Sequence, residues 1–191
     1  MTQVRKVQAP FGEDLARSLR SGERVLLSGI LFTARDAAHK RLVEALSRGE
    51  APLDLADQVI YYAGPAPAGP GKIIGPVGPT TSGRMDPYTV TLLEKGLRGM
   101  IGKGGRSPQV LRALADRGAV YFGATGGAAA LLARSVRRCD VVAYGDLGPE
   151  AIRRLEVVDM PLVVVADAWG GDLYRDGPEA FLLGRQGMEL F

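Results

Sequence analysis

Val59-Ile-Tyr-Tyr-Ala63, Gly99-Met-Ile-Gly102 and Ala119-Val-Tyr-Phe-Gly123 are three short apolar runs, each followed by a polar or glycine-rich segment and then by a helical pattern. That repeated order predicts strands and helices in alternation, and with it an α/β fold with a mixed, mainly parallel sheet. Two of the connecting segments stand out. They are Gly78-Pro-Thr-Thr-Ser-Gly-Arg-Met-Asp86 and Ile101-Gly-Lys-Gly-Gly-Arg-Ser107. Thr80, Thr81, Arg84, Lys103 and Arg106 sit in them among glycines, with almost no bulky side chains between. Such segments cannot bury an apolar face, so their polar groups need a partner. A small dicarboxylate would suit them.

Working outward, Val4 to Gln8 reads as a strand and Gly12 to Arg20 as a helix ended by Gly22. Arg24 to Thr33 is rich in β-formers and reads as two strands kinked at Ser28-Gly29. Arg35 to Arg48 is a helix with an apolar stripe of Leu42, Val43, Ala45 and Leu46, stopped by Gly49. Gly64 to Gly71, with its prolines and glycines, excludes helix and central strand, and Ile73-Ile74 is a short return. Pro87 to Leu97 reads as a helix. Ser107 is the expected N-cap of another, with Pro108 at its first position and an end near Gly118. A helix is expected from Thr125 to about Arg137, strands at Asp140–Tyr144 and Leu162–Ala166, and a short helix at Pro149–Leu155 between them. The segment from Arg175 to Phe191 is a polar, glycine-punctuated tail on a single domain spanning residues 1–191.

Composition narrows the function. The chain has 191 residues, 46% hydrophobic, which suffices for one domain with a real core. Its net charge of +3 is spread along the chain, and aromatics make up 6%. A nucleic-acid surface clusters its cations and interleaves aromatic rings, so nucleic acid is not the expected partner. No apolar run approaches the roughly 18 residues that span a bilayer, and Met1 to Lys6 lacks the apolar core of a signal peptide. A cytoplasmic, membrane-free protein is expected. The single cysteine, Cys139, can form no internal disulfide and cannot alone hold a metal cluster. It reads as a small buried or semi-buried side chain, and no metal ligand set is expected in this chain.

Each candidate has an ordinary reading beside the chemical one. Thr81 or Asp86 would cap the helix that follows, leaving Arg84 solvated. Alternatively, Thr80, Thr81 and Arg84 face a ligand across a glycine-lined loop, where the planar fork of Arg84 can pair two carboxylate oxygens. Lys103 is followed by Gly104 rather than by Ser or Thr, so the phosphate-loop pattern is not met. Arg35 stands at a helix N-terminus, an unfavourable place for a cation beside the macrodipole, which hints at a reason outside the helix. His39, the only histidine, is either an ordinary helix residue or a general acid–base, and Asp36 is placed to orient Arg35 or His39. Gly126-Gly127 either opens a helix toward an anion or serves close packing. Tyr61 and Tyr62 read as core and loop wall.

The motif Thr80-Thr-Ser-Gly-Arg-Met-Asp86, together with Ile101-Gly-Lys-Gly-Gly105 and the Arg35 segment, resembles the β subunit, or C-terminal domain, of class I fumarases and L(+)-tartrate dehydratases, which are iron–sulfur hydro-lyases. The resemblance runs from about Leu15 to Leu173. It implies a three-layer β/β/α swivelling domain. It further implies that Thr80 and Arg84 are catalytic, and that Arg35, Thr81, Arg84 and Lys103 bind substrate. A [4Fe–4S] cluster would be held by a separate α subunit, in an α2β2 assembly, with its open iron acting as a Lewis acid. The substrate implied is fumarate, hydrated to (S)-malate, or alternatively tartrate. A chain with one cysteine could then not be the whole enzyme. A reading of a different class, an anion-binding scaffold domain without catalysis, stands against the presence of Thr80, Arg84 and Lys103.

Overall fold

The computed structural model describes residues 4–186. Its seven strands are β1 (Arg5–Ala9), β2 (Arg24–Thr33), β3 (Val59–Tyr61), β4 (Gly99–Gly102), β5 (Val120–Gly123), β6 (Val136–Ala143) and β7 (Ile152–Ala166). The helices are α1 (Glu13–Ser18), α2 (Asp36–Ser47), α3 (Asp86–Glu94), α4 (Pro108–Arg117), α5 (Ala129–Ala133) and α6 (Leu173–Gln186).

Strands β2, β3, β4 and β5 pair in parallel in that order, and β1 pairs in parallel with the first half of β2. Strand β7 runs antiparallel to β5 on one side and to the whole of β2 on the other. The sheet is therefore mixed and closes into a ring of β2, β3, β4, β5 and β7, with β1 and β6 appended. Closure leaves no edge within the ring itself, while β1 and β6 each pair with one strand only among the described residues.

The short apolar strands are buried on both faces, and their alternation sorts side chains into two cores. Val59, Tyr61, Ile101, Val120 and Phe122 join Leu27, Leu31, Leu155 and Val164 in one cluster. Ile60, Tyr62, Met100 and Tyr121 join Leu42, Leu92, Leu93, Val110 and Leu114 of α2, α3 and α4 in the other. Leu42 is fully buried, and each such leucine contributes about 1.5–3 kcal/mol of burial free energy. Ser107 caps α4 as expected, its Oγ accepting from the Val110 N–H at 3.3 Å, and Gly118 closes the helix in the left-handed conformation.

Several boundaries differ from the expectations. Arg24 to Thr33 is one strand, and the Ser28-Gly29 kink is a register shift against β7. Gly29, at φ 107°, passes so close to β1 that a Cβ there would stand 2.0 Å from the Ala9 carbonyl oxygen. The helix expected at Pro149–Leu155 is a 3-10 segment, Gly145–Glu150, followed by the long strand β7. Leu155 and Val157 face inward, and so do Met160, Leu162 and Val164. An extra residue at Asp159, with φ 49°, separates the two sets. That break in the alternation, with Pro161 beside it, hid the continuity of the strand. The helix expected over Thr125 to Arg137 is confined to Ala129–Ala133, because Val136 to Ala143 pairs with β7 instead. Ile73-Ile74 forms no strand. The tail expected from Arg175 is mostly helix α6, which runs through Gly177 and Pro178; residues 187–191 lie outside the described residues.

Candidate functional site

Ligands of α/β proteins gather beyond the carboxyl ends of parallel strands. Arg35 and Asp36 follow β2; Thr80, Thr81 and Arg84 lie in the connection after β3; Lys103 follows β4; Thr125 and Gly126 follow β5. Cations and hydroxyls far apart in sequence thus emerge at one end of four neighbouring strands.

The segment after β3 is sewn to its neighbours by backbone bonds. The Thr80 N–H donates to the Tyr62 carbonyl at 2.7 Å, and the Thr80 carbonyl accepts from the Lys103 N–H at 3.3 Å. The Ser82 N–H donates to the Lys103 carbonyl at 2.9 Å. Thr81 and Lys103 are bridge partners, and both are exposed. They share a cleft of about 520 Å3 with Gly104, Thr125, Gly126 and Tyr174. Gly126 lies beside the lysine: a Cβ there would make ordinary van der Waals contact, 3.9 Å from Lys103 Nζ. Tyr174, at the start of α6, accepts from the Gly104 N–H at 2.8 Å and forms another wall.

Arg84 is tied to the start of α2 by Asp36, the sequence neighbour of Arg35. Arg84 Nε donates to Asp36 Oδ1 at 2.8 Å, so Asp36 holds Arg84 rather than Arg35 or His39. Arg35 instead pairs with Glu150 at 3.5 Å, a residue that sequence reasoning missed. Arg35 Nε and Asp36 Oδ2 are buried and make no hydrogen bond among the described residues. Buried polar atoms are seldom left so. Neither Thr81 nor Asp86 caps a helix: the side chain of Thr81 makes no capping bond, and Asp86 turns to Arg106 and Ser107.

His39 is fully buried beneath this wall, with its ring edge-on to Tyr62 at 5.2 Å. Its Nδ1 lies 2.9 Å from the Arg35 carbonyl oxygen. A carbonyl only accepts, so the proton is on Nδ1 and Nε2 is bare. Burial pushes its pKa from 6.5 down to about 4, which keeps it neutral at pH 7. Above pH 6.5 the folded and unfolded chains both carry a neutral ring. As the pH falls from 6.5 to 4, the unfolded chain takes up a proton that the folded chain refuses, and stability drops by on the order of 3 kcal/mol. Denaturant titrations from pH 7 to pH 4 should show this drop in the wild type and a smaller one in His39→Gln. Equal losses in both would mean that His39 does not carry it.

Arg106 also departs from expectation. It is 8% exposed and turned away from solvent, on Asp86 at 2.7 Å and on the rings of Tyr62 and Tyr121. Cys139 is half-buried on β6, and burial raises its thiol pKa. No group of three His, Cys, Asp or Glu side chains that could hold a metal ion is found among the described residues. One shielded thiol does not fit an iron–sulfur cluster, which takes several thiolates. No helix among the described residues is long and apolar enough to cross a membrane.

A closed mixed sheet with cations and threonines at its parallel strand ends defines an α/β domain suited to binding a small anion. A sequence model of the family described as "Fumarase C-terminus" matches residues 2–177, and the chain belongs to that family, one of iron–sulfur hydro-lyases. The chain is 43% identical over 155 residues to a class I, aerobic fumarate hydratase of Salmonella typhimurium, covering 80% of this chain and 27% of that protein. It is 38% identical to a putative class I fumarate hydratase of Geobacillus stearothermophilus, covering 91% of this chain and 34% of the relative. With a putative L(+)-tartrate dehydratase subunit beta of Methanocaldococcus jannaschii the identity is 40%, over 84% of this chain and 86% of the other. The chain thus spans about a third or less of the fumarate hydratases and most of the β subunit.

Proposed function

We propose that this chain, acting as one unit over residues 1–191, is the β subunit of an iron–sulfur hydro-lyase that reversibly hydrates fumarate to (S)-malate. The observation that carries the reading is the convergence of Arg35, Thr80, Thr81, Arg84 and Lys103 at one end of four adjacent strands. Arg35, Arg84 and Lys103 clamp the substrate carboxylates, with Thr81 beside them. The same cations stabilise the charge that gathers on a carboxylate when the adjacent C–H loses its proton. Thr80 is the proton-transfer group, and its backbone is bonded at both N–H and carbonyl, which holds the hydroxyl on a rigid segment. A threonine hydroxyl is a weak base unless a neighbour activates it. An acidic residue of a partner chain supplies that activation. Charge-paired Arg84 is positioned by Asp36, while neutral, buried His39 supports the wall from behind.

In this reading the [4Fe–4S] cluster belongs to a separate α subunit in an α2β2 assembly, in the cytoplasm, and the three-layer arrangement of the family applies to this fold. The single cysteine of the sequence, and the lack of a metal-ligating group among the described residues, support the division of labour. The near-complete overlap with a tartrate dehydratase β subunit supports a separate chain, and it keeps L(+)-tartrate as the second candidate substrate.

The purified chain alone is expected to be folded, colourless and inactive. Anaerobic treatment with iron and sulfide, followed by a visible spectrum, checks this. A stoichiometric cluster band with turnover in the absence of a partner would sink the subunit reading. With a cluster-bearing partner, turnover of fumarate and malate against L(+)-tartrate decides the substrate.

A further inference from the structure

The glycine loop after β4 carries one cation outward and one inward. Lys103 is exposed, whereas the Arg106 side chain is wholly shielded from solvent. Its partners all come from beyond its own loop. Arg106 Nε meets Asp86 Oδ1 at 2.7 Å, and Nη2 donates to Thr89 Oγ1 at 2.7 Å. The guanidinium lies over the rings of Tyr62, at 5.3 Å, and Tyr121, at 5.1 Å. The second oxygen of Asp86 accepts from the Ser107 N–H at 2.7 Å. Nearby, the Tyr121 hydroxyl donates to the Gly104 carbonyl at 2.8 Å. With its one proton so used, it accepts from Ser82 Oγ at 2.8 Å. Burial raises the Tyr121 pKa, which keeps that proton in place.

These contacts join two short stretches, 82–89 and 104–107. The first continues directly from Thr80 and contains Arg84; the second continues directly from Lys103. The Ser82–Lys103 and Lys103–Thr80 backbone bonds carry the junction up to the exposed side chains. There is also no slack: a Cβ on Gly102 would stand 1.9 Å from Ser82 Oγ. An aliphatic pair could fill the same volume at similar or better stability, because a buried ion pair gives back much of its attraction in desolvation. What the planar, multiply bonded guanidinium adds is a fixed geometry that lysine cannot reproduce.

We propose that Arg106 and Asp86 are positioning residues that lock the Lys103 loop to the Thr80–Arg84 segment, so that ammonium and guanidinium address one dicarboxylate at a set separation. The substrate part rests on the function proposed above; the locking part does not. The test compares the full-length wild type with Arg106→Lys and with the milder Tyr121→Phe. Amide hydrogen exchange is read at Ser82 and Lys103, with β2 and β7 as internal references. KM and kcat are read in the complex with the cluster-bearing partner.

Arg106→Lys should speed exchange at Ser82 and Lys103 by tenfold or more while the reference strands keep their protection. It should raise KM for the dicarboxylate by tenfold or more, with a smaller fall in kcat. Tyr121→Phe should shift both readouts in the same direction by less. Unchanged exchange at the two amides, or acceleration spread evenly over all strands, would overturn the lock. Local acceleration with an unaltered KM would overturn its role toward substrate. If the wild-type complex turns over no dicarboxylate, the functional reading fails, and the exchange pattern alone still decides the lock.

Discussion

Replacing Arg84 by lysine lowers kcat/KM of the partnered enzyme by a factor on the order of 10² or more, about 2.7 kcal/mol of transition-state stabilisation. Charge is conserved in that variant, so the loss measures geometry. Arg84 Nε donates to Asp36 Oδ1 at 2.8 Å, and in the proposed clamp the two terminal nitrogens form the fork. An ammonium is a single point that must choose between Asp36 and the substrate. The Arg84–Asp36 pair is half-exposed, so its contribution to folding stability is small, about 0–1 kcal/mol at most. The variant should therefore melt close to the wild type while losing activity. Steady-state kinetics on the α/β complex, under anaerobic conditions and with cluster content checked, makes the measurement. Near-normal kcat/KM would reduce Arg84 to an ordinary loop residue.

Thr80→Ala and Lys103→Ala separate proton transfer from clamping. A group that moves a proton acts chiefly in the transition state, so Thr80→Ala should cut kcat by roughly 10²–10⁴ and change KM far less. A carboxylate clamp also holds the ground state, so in the proposed reading removal of Lys103 should raise KM and lower kcat to a lesser degree. Thr80→Ser should retain part of the activity because the hydroxyl survives. The neighbouring Thr81 makes no capping bond, so Thr81→Ala should not cost the approximately 1 kcal/mol of a lost cap. Full activity in Thr80→Ala beside a dead Thr81→Ala would move the proton-transfer role by one residue along the double threonine.

Much of the architecture was legible because local rules decide it. The apolar runs at 59–63, 99–102 and 119–123 became β3, β4 and β5, since strands buried on both faces need nothing but short apolar stretches between turns. Ser107-Pro108 and Gly118 marked both ends of α4 through capping chemistry that a few residues determine. The misreadings fell where pairing with a distant strand overrode local pattern. Residues 152–155 read as the end of a helix, yet β2 and β6 both bond to this stretch as strand. Residues 134–137 read as helix, and β6 claims Val136 onward. Closure of the sheet depends on β7 reaching both β5 and β2, and its β2 partners lie more than a hundred positions away in sequence.

The sequence by itself determined the chemical inventory: threonines, arginines and one lysine on glycine loops, one thiol, and a motif specific enough to indicate the family. Tertiary structure alone decided how each charge is used. Arg84 and Arg106 are both arginines of glycine-flanked loops, and composition and spacing alone do not show which of them is buried. The fold leaves Arg84 half-exposed on Asp36 and closes Tyr62, Tyr121, Asp86 and Thr89 around Arg106. His39 stands on a helix that the sequence leaves open to solvent, and only the fold buries its ring and keeps it neutral at pH 7. Glu150 became the partner of Arg35 only because the 3-10 segment before β7 folds back over the start of α2. The physical reason is common to all three. Solvation and charge pairing are set by what lies across space within a few ångströms, and for these side chains that neighbour is distant in sequence.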